Sequence, residues 1–166
     1  MGEQVIEARA RSGASPAEGF AVLADVSCWT RWGIWHRAEL ERPADEGPPG
    51  SGGAVGGGAG GTGAIRVLTS RAFGRTIVSR ELVTEAVPGE LVGYELLSGL
   101  PLRNYRARVE LAPDGTGTAI RWVSRFDRAP LGTTWLYRAF FARFLVDTAQ
   151  RLARYAEQRA GQVPTS

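Results

Sequence analysis

Lysine is missing from this chain: all 20 basic residues are arginine. One cysteine, one histidine and one methionine are present among 166 residues. Each scarcity removes a chemistry. A lone Cys28 rules out an internal disulfide and leaves no thiolate metal site. A lone His36 rules out a two-histidine metal centre, and any Ser-His-Asp arrangement must use it, so neither a metal nor another cofactor is expected. Its place near a strand start is that of a surface or strand-edge histidine. No apolar run approaches the roughly 20 residues of a membrane span. The opening residues Met1-Gly2-Glu3-Gln4-Val5 carry neither a basic nor an apolar stretch. No signal peptide is expected, and a cytoplasmic location is the default.

The net charge of +3 and the pI near 9.6 raise the question of nucleic acid. A nucleic-acid binder concentrates its positive charge on one element. Here the arginines run from Arg9 to Arg159 and alternate with acids, as in Arg80-Glu81 and Arg154-x-x-Glu157. No nucleic-acid partner is expected. A composition 43% hydrophobic and 22% charged is that of an ordinary globular domain. A single domain over residues 1–166 would bury roughly two-thirds of its unfolded surface.

The order of parts carries more information. Val5 to Ala10 alternates loosely and reads as a strand. Ser15-Pro16-Ala17-Glu18 starts a helix, with Ser at the N-cap, Pro at the first helical position and Glu18 placed to close a capping box. A second short helix, capped by Asp25 or Ser27, is expected through Trp32, and a second strand over His36–Glu41. Residues 47–63 hold ten glycines in seventeen positions. Gly58 to Gly63 matches G-x-G-x-x-G, but a phosphate cradle must open a helix, and a strand-like segment follows. A flexible loop is the expectation. Strands are then expected over Ala64–Leu68, Arg75–Ala86, Leu91–Ser98, Leu102–Ala112 and Thr118–Phe126, with Pro, Gly and Asp at the joins, as in an antiparallel meander.

Period-2 alternation puts Tyr105, Ala107, Val109 and Leu111 on one face, and Ile120, Trp122, Ser124 and Phe126 on one face of the last strand. The opposite face is rich in arginine, so one side of the sheet meets water and the other needs cover. A long amphipathic helix, about 131–160, can supply that cover through Tyr137, Phe141, Phe144, Leu145, Thr148, Leu152, Tyr155 and Ala156. Trp135, Leu136, Phe140 and Val146 fall outside this stripe. Trp135, Leu136 and Phe140 are expected to meet the 47–63 loop, an apolar ligand at a pocket mouth or, preferably, a second subunit in a homodimer.

Together, Asp25-Val26-x-x-Trp29-x-x-Trp32, Arg80-Glu81-Leu82-Val83 before a Pro-Gly turn, Tyr94 before Gly99-Leu100-Pro101, Gly117-Thr118-x-x-x-Trp122 and the closing helix resemble the START-like (SRPBCC) superfamily, nearest its polyketide cyclase/dehydrase branch. The resemblance implies an α+β helix-grip fold: a curved antiparallel β-sheet wrapped around a long C-terminal helix, with two short helices near the N-terminus. It implies an internal cavity for a hydrophobic or aromatic small molecule, with lipid binding among the known roles. Two functions follow as expectations: a binding or carrier protein, or a cyclase, aromatase or dehydratase acting on a poly-keto or aromatic substrate. Fold likeness does not choose between them.

The expected ligand-binding residues are Trp32, Trp35, Arg66, Glu81, Tyr94, Tyr105, Trp122, Phe126, Phe141 and Leu145. Trp29, Trp32 and Trp35 can equally anchor the short helices on the sheet, and Tyr94, Tyr105 and Trp122 can equally be core. Arg66, Glu81 and Tyr94 are the catalytic candidates. If Arg66 and Glu81 face inward they form a buried ion pair, costly unless hydrogen-bonded and so a mark of function. Their strand parities leave an outer-face pair open as the alternative.

Overall fold

The computed structural model of the protein describes residues 2–44, 61–72 and 74–162. The strand β1 (Gln4–Ser12) leads into α1 (Pro16–Ala24), a 3₁₀ turn (Val26–Cys28) and α2 (Trp29–Trp32). Six strands follow: β2 (Arg37–Arg42), β3 (Ile65–Ala72), β4 (Arg75–Val87), β5 (Leu91–Ser98), β6 (Arg106–Asp114) and β7 (Gly117–Phe126). The helix α3 (Thr134–Gly161) follows them. The strands form one antiparallel sheet in the order β1-β7-β6-β5-β4-β3-β2. Register shifts in the β2–β3 and β4–β5 pairs mark bulges of the kind that bend a sheet.

Local chemistry sets the ends of these elements. At α1, the Ser15 hydroxyl accepts from the Glu18 amide and the Glu18 carboxylate accepts from the Ser15 amide at 2.7 Å, a complete capping box. The next turn departs from expectation, since Asp25 makes no side-chain cap bond there and instead accepts from the Ser27 hydroxyl. The sixth strand starts later than the alternation implies, at Arg106 rather than Leu102. Asn104 takes a left-handed φ of 53°, which breaks the extended run, and Arg103 forms only an isolated bridge with Arg128. Residues 45–60 lie outside the described residues, and with them all of the expected flexible loop 47–63 except 61–63, which form no helix or strand.

The inner face of the sheet is apolar and the second half of α3 lies on it. Phe141, Leu145, Thr148, Leu152 and Ala156 are buried, against Ile120, Trp122 and Phe126 of β7. Two hydrogen bonds fasten β1 beneath α3: Ser12 Oγ donates to the Ala153 carbonyl at 2.8 Å, and the Gly13 amide donates to Glu157 at 2.6 Å. The outer face carries a ladder of arginines and glutamates, including Glu7–Arg121–Glu110.

On the first half of α3, Trp135 is 70% exposed and Phe140 is half-buried, with its ring parallel to that of Phe144 at 5.9 Å. Trp135 and Leu136 remain as the exposed apolar side chains of the first helical turn.

Candidate functional site

Between the first half of α3, the α2–β2 segment and strands β3 to β5 lies a cavity of about 60 Å³. Seven of its fifteen lining residues are aromatic: Trp29, Trp35, Tyr94, Tyr105, Phe140, Phe141 and Phe144. Its polar groups come from Ser70, Ser79, Glu81 and the two tyrosines. The cavity lies where Phe140, Phe141 and Phe144 of α3 face the sheet through large rings, before the helix settles onto it through Leu145, Ala149 and Leu152.

Glu81 reaches the cavity through strand register. Arg66 of β3 stands opposite Glu81 of β4, and both side chains point inward. Arg66 Nη2 donates to Glu81 Oε2 at 2.9 Å, with the two side chains 1% and 12% exposed. The guanidinium also lies over the Trp29 ring at 4.4 Å and the Tyr94 ring at 4.8 Å, which replaces part of its lost hydration by cation–π attraction. The pair is thus inward and buried. Arg66 does not itself line the cavity; it stands behind Glu81 and holds it. Burial pushes the Glu81 carboxyl above its usual range, against the opposing pull of Arg66. Such a group is poised to hold or give a proton nearer neutrality than a solvated glutamate.

Two phenols complete the polar lining. Tyr94 Oη accepts from Trp122 Nε1 at 3.2 Å, and Tyr105 Oη pairs with Ser124 Oγ at 2.9 Å. Burial raises both phenol pKa values, that of Tyr94 well above its ordinary value. Both hydroxyls therefore remain protonated near neutral pH and act as hydrogen-bond groups, not as bases. Three buried donors, Arg66 Nε, Trp29 Nε1 and Trp32 Nε1, have no acceptor among the described residues. Leaving a donor in that state costs about 1–3 kcal/mol.

Trp35 owes its position to a glycine. A Cβ on Gly33 would stand 2.0 Å from Trp35 Cε3, so only glycine lets the indole lie against the backbone there. Trp35 then packs on Trp29 at 4.8 Å and edge-on to Phe144 at 6.3 Å.

Of the residues expected from sequence, Trp35, Glu81, Tyr94, Tyr105 and Phe141 line the cavity, and Arg66 backs it. Trp32 does not line it. The indole is buried against Trp29 at 5.5 Å and Trp35 at 5.6 Å and borders an outer polar depression with Arg31, Arg151 and Tyr155, so it stands behind the cavity's indoles. Trp122, Phe126 and Leu145 are buried in the packed core beside the cavity rather than in its wall. Trp122 acts at one remove, by holding the Tyr94 hydroxyl. Trp29, Ser70, Ser79 and Phe144 also line the cavity and were not among the expected ligand contacts, and Phe140, expected at a subunit contact, the loop or an apolar ligand at a pocket mouth, lines it too. Leu68 and Val83 are buried, and period-2 counting from them carries Ser70 and Ser79 inward.

Other chemistry is sparse. His36 is exposed. Cys28 is buried, its thiol donates to the Asp25 carbonyl at 3.0 Å, and burial pushes its pKa up, which removes it as a nucleophile. Among the described residues no group of three His, Cys, Asp or Glu side chains could hold a metal, and no helix is long and apolar enough to cross a membrane.

Comparison with known proteins agrees with this architecture. A family described as polyketide cyclase / dehydrase and lipid transport matches residues 3–157. No curated protein matches the sequence. A START superfamily protein from Mycobacterium smegmatis superposes with a TM-score of 0.74 at 13% identity, covering 93% of this chain and 98% of that one. The Zhui aromatase/cyclase from Streptomyces sp. R1128 gives 0.71 at 17% identity, covering 95% and 96%. Norcoclaurine synthase from Thalictrum flavum, in complex with dopamine and hydroxybenzaldehyde, gives 0.69 at 14% identity, covering 98% and 90%. At these identities the likeness is one of fold.

Proposed function

We propose a function on one premise: the chain belongs to the polyketide cyclase/dehydrase and lipid transport family. Its activity is the binding of a hydrophobic, preferably aromatic, small molecule in the cavity beside α3. The observation that carries this reading is a lining of seven aromatic rings around the single carboxyl of Glu81. An apolar wall with a few convergent polar groups is the usual composition of a small-molecule site. The ligand's ring stacks among Trp29, Trp35 and Phe141, and a hydroxyl on it donates to Glu81. An oxygen on the ligand would also satisfy the idle Trp29 Nε1 donor. Titration with a hydroxylated aromatic such as naphthol, read by tryptophan fluorescence, tests the reading. Saturable quenching that Trp29→Phe and Glu81→Leu both weaken is expected. Quenching that never saturates would refute it.

One observation favours a second reading, cyclisation with loss of water. Glu81, Tyr94 and Tyr105 converge on the cavity, and Glu81 has a raised pKa through burial. On that reading the ionised Glu81 takes a proton from a methylene between two carbonyls. The enolate carbon attacks a second carbonyl, whose oxygen gains a proton. Glu81 returns that proton to the oxygen, then takes the remaining proton of the same methylene, and the hydroxyl leaves as water with it as the carbon–carbon double bond forms. Tyr94 and Tyr105 donate to the carbonyl oxygens, and Arg66 keeps Glu81 in place. A synthetic poly-β-ketone incubated with the protein distinguishes the two readings. A faster, Glu81-dependent release of aromatic product supports catalysis, and retention of unchanged ketone supports binding alone.

A further inference from the structure

The cavity poses a problem of size. At about 60 Å³ it is several times smaller than the roughly 300–1,000 Å³ of ordinary ligand sites. A second void lies against it. Along the outer flank of α3, Ala139, Arg143, Val146 and Gln150 fall at helical spacing and, with Ile34 of the α2–β2 segment, border a groove of about 640 Å³. Three residues line both voids: Ile34, Phe140 and Phe144. They form the wall between cavity and groove.

We propose that cavity and groove are two parts of one ligand site, divided by the Phe140–Phe144 pair, and that the ligand is an elongated molecule with an aromatic head and an apolar tail. This rests on the binding reading given above and names the class of molecule it takes. The head occupies the cavity at Glu81 and the tail passes Phe140 into the groove. Phe140 and Phe144 are one turn apart on α3 with their rings parallel, tilted by 7°, and the tail passes by a change in their side-chain torsions. Neither is in the fully buried core, in contrast to Phe141 between them. The floor of the groove includes the aliphatic side chains of Ile34 and Val146, and Val146 is exposed. An alkyl tail laid there covers apolar surface that otherwise faces water. Arg143, Asp147 and Gln150 also line the groove and supply its polar groups.

The test uses the full chain and a series of para-alkylphenols bearing ethyl, butyl, hexyl and octyl tails. Affinity is expected to climb along the series by roughly two- to fourfold for each added methylene, up to the length of the groove. Val146→Asp, on an exposed position, is expected to flatten the climb, because it puts a charge where the tail lies. Phe140→Ala is expected to speed association of the octyl member; if that variant does not fold, Val146→Asp decides alone. Equal affinity from ethyl to octyl, or a climb that survives Val146→Asp, overturns the two-part site while leaving head binding intact. Absence of binding by every phenol overturns the binding reading as well.

Discussion

Two positions hold the site in shape through one atom or one charge. At Gly33 the deciding quantity is the 2.0 Å that would separate an added Cβ from the Trp35 ring. Gly33→Ala is expected to push Trp35 out of the cavity wall, costing roughly 1–3 kcal/mol as overpacking does. A lowered thermal midpoint and a red-shifted tryptophan emission would show it. Arg66 and Glu81 are expected to behave as a unit. Glu81→Leu alone leaves a buried guanidinium unpaired and should cost about 3–5 kcal/mol, whereas Arg66→Met/Glu81→Leu together should recover most of that loss. Urea denaturation of both single variants and the double closes the cycle. Proton linkage gives a second readout. The folded-state pKa of Glu81 lies above its unfolded value of 4.5, so the folded protein binds the proton more tightly. Stability therefore falls as pH rises from 4.5 toward the folded value, and Glu81→Gln should remove that slope.

Among the elements, β1 depends most on its neighbours, since it is an edge strand whose next element is a helix. Carboxylates on and just before it meet arginines of the neighbouring β7: Glu7 accepts from Arg121 at 2.8 Å, and Glu3 accepts from Arg125 at 3.0 Å. Hydrogen bonds from Arg121 and Arg9 hold the Glu7 carboxyl down to about 2. The sign is opposite to that of Glu81: with an unfolded value of 4.5, the contribution is present above pH 4.5 and lost as pH falls toward 2. Glu7→Gln should reduce the acid sensitivity of melting in that interval, and added salt should reduce it likewise, because the pair is exposed and screened. The parity of the outer and inner faces was legible for β6 and β7, where apolar and arginine residues alternate over several positions. For β3 it was not, because Ile65 and Val67 on one face rival Leu68 on the other. Only pairing with β2 and β4 decided that Arg66 points inward.

At the scale of the whole molecule, stability and function divide α3 between them. Its second half is packed against the sheet, and Leu152 is fully buried. Leu152→Ala is expected to cost roughly 2–5 kcal/mol, while Val146→Ala in the outer groove should fall within about 0.5 kcal/mol of the parent; chemical denaturation of the two variants compares them directly. The first half closes the molecule loosely around the cavity. A packed core there would be more stable, and the void is what the fold gives up to admit a ligand.

The sequence by itself determined the α+β order of elements, the single closing helix, the capping box at Ser15 and the sidedness of the last two strands. These rest on local periodicity and capping, which act between residues close in the chain. The cavity was decided only by tertiary structure. Its wall joins Trp29 and Trp35 from a one-turn helix and the loop beyond it, Glu81 from a mid-sheet strand and Phe140 from a helix more than fifty residues further along. Helical counting placed Phe140 outside the packed stripe correctly. That a residue outside the stripe borders a cavity rather than water depends on what the α2–β2 segment brings opposite it, and no period in the chain records that meeting.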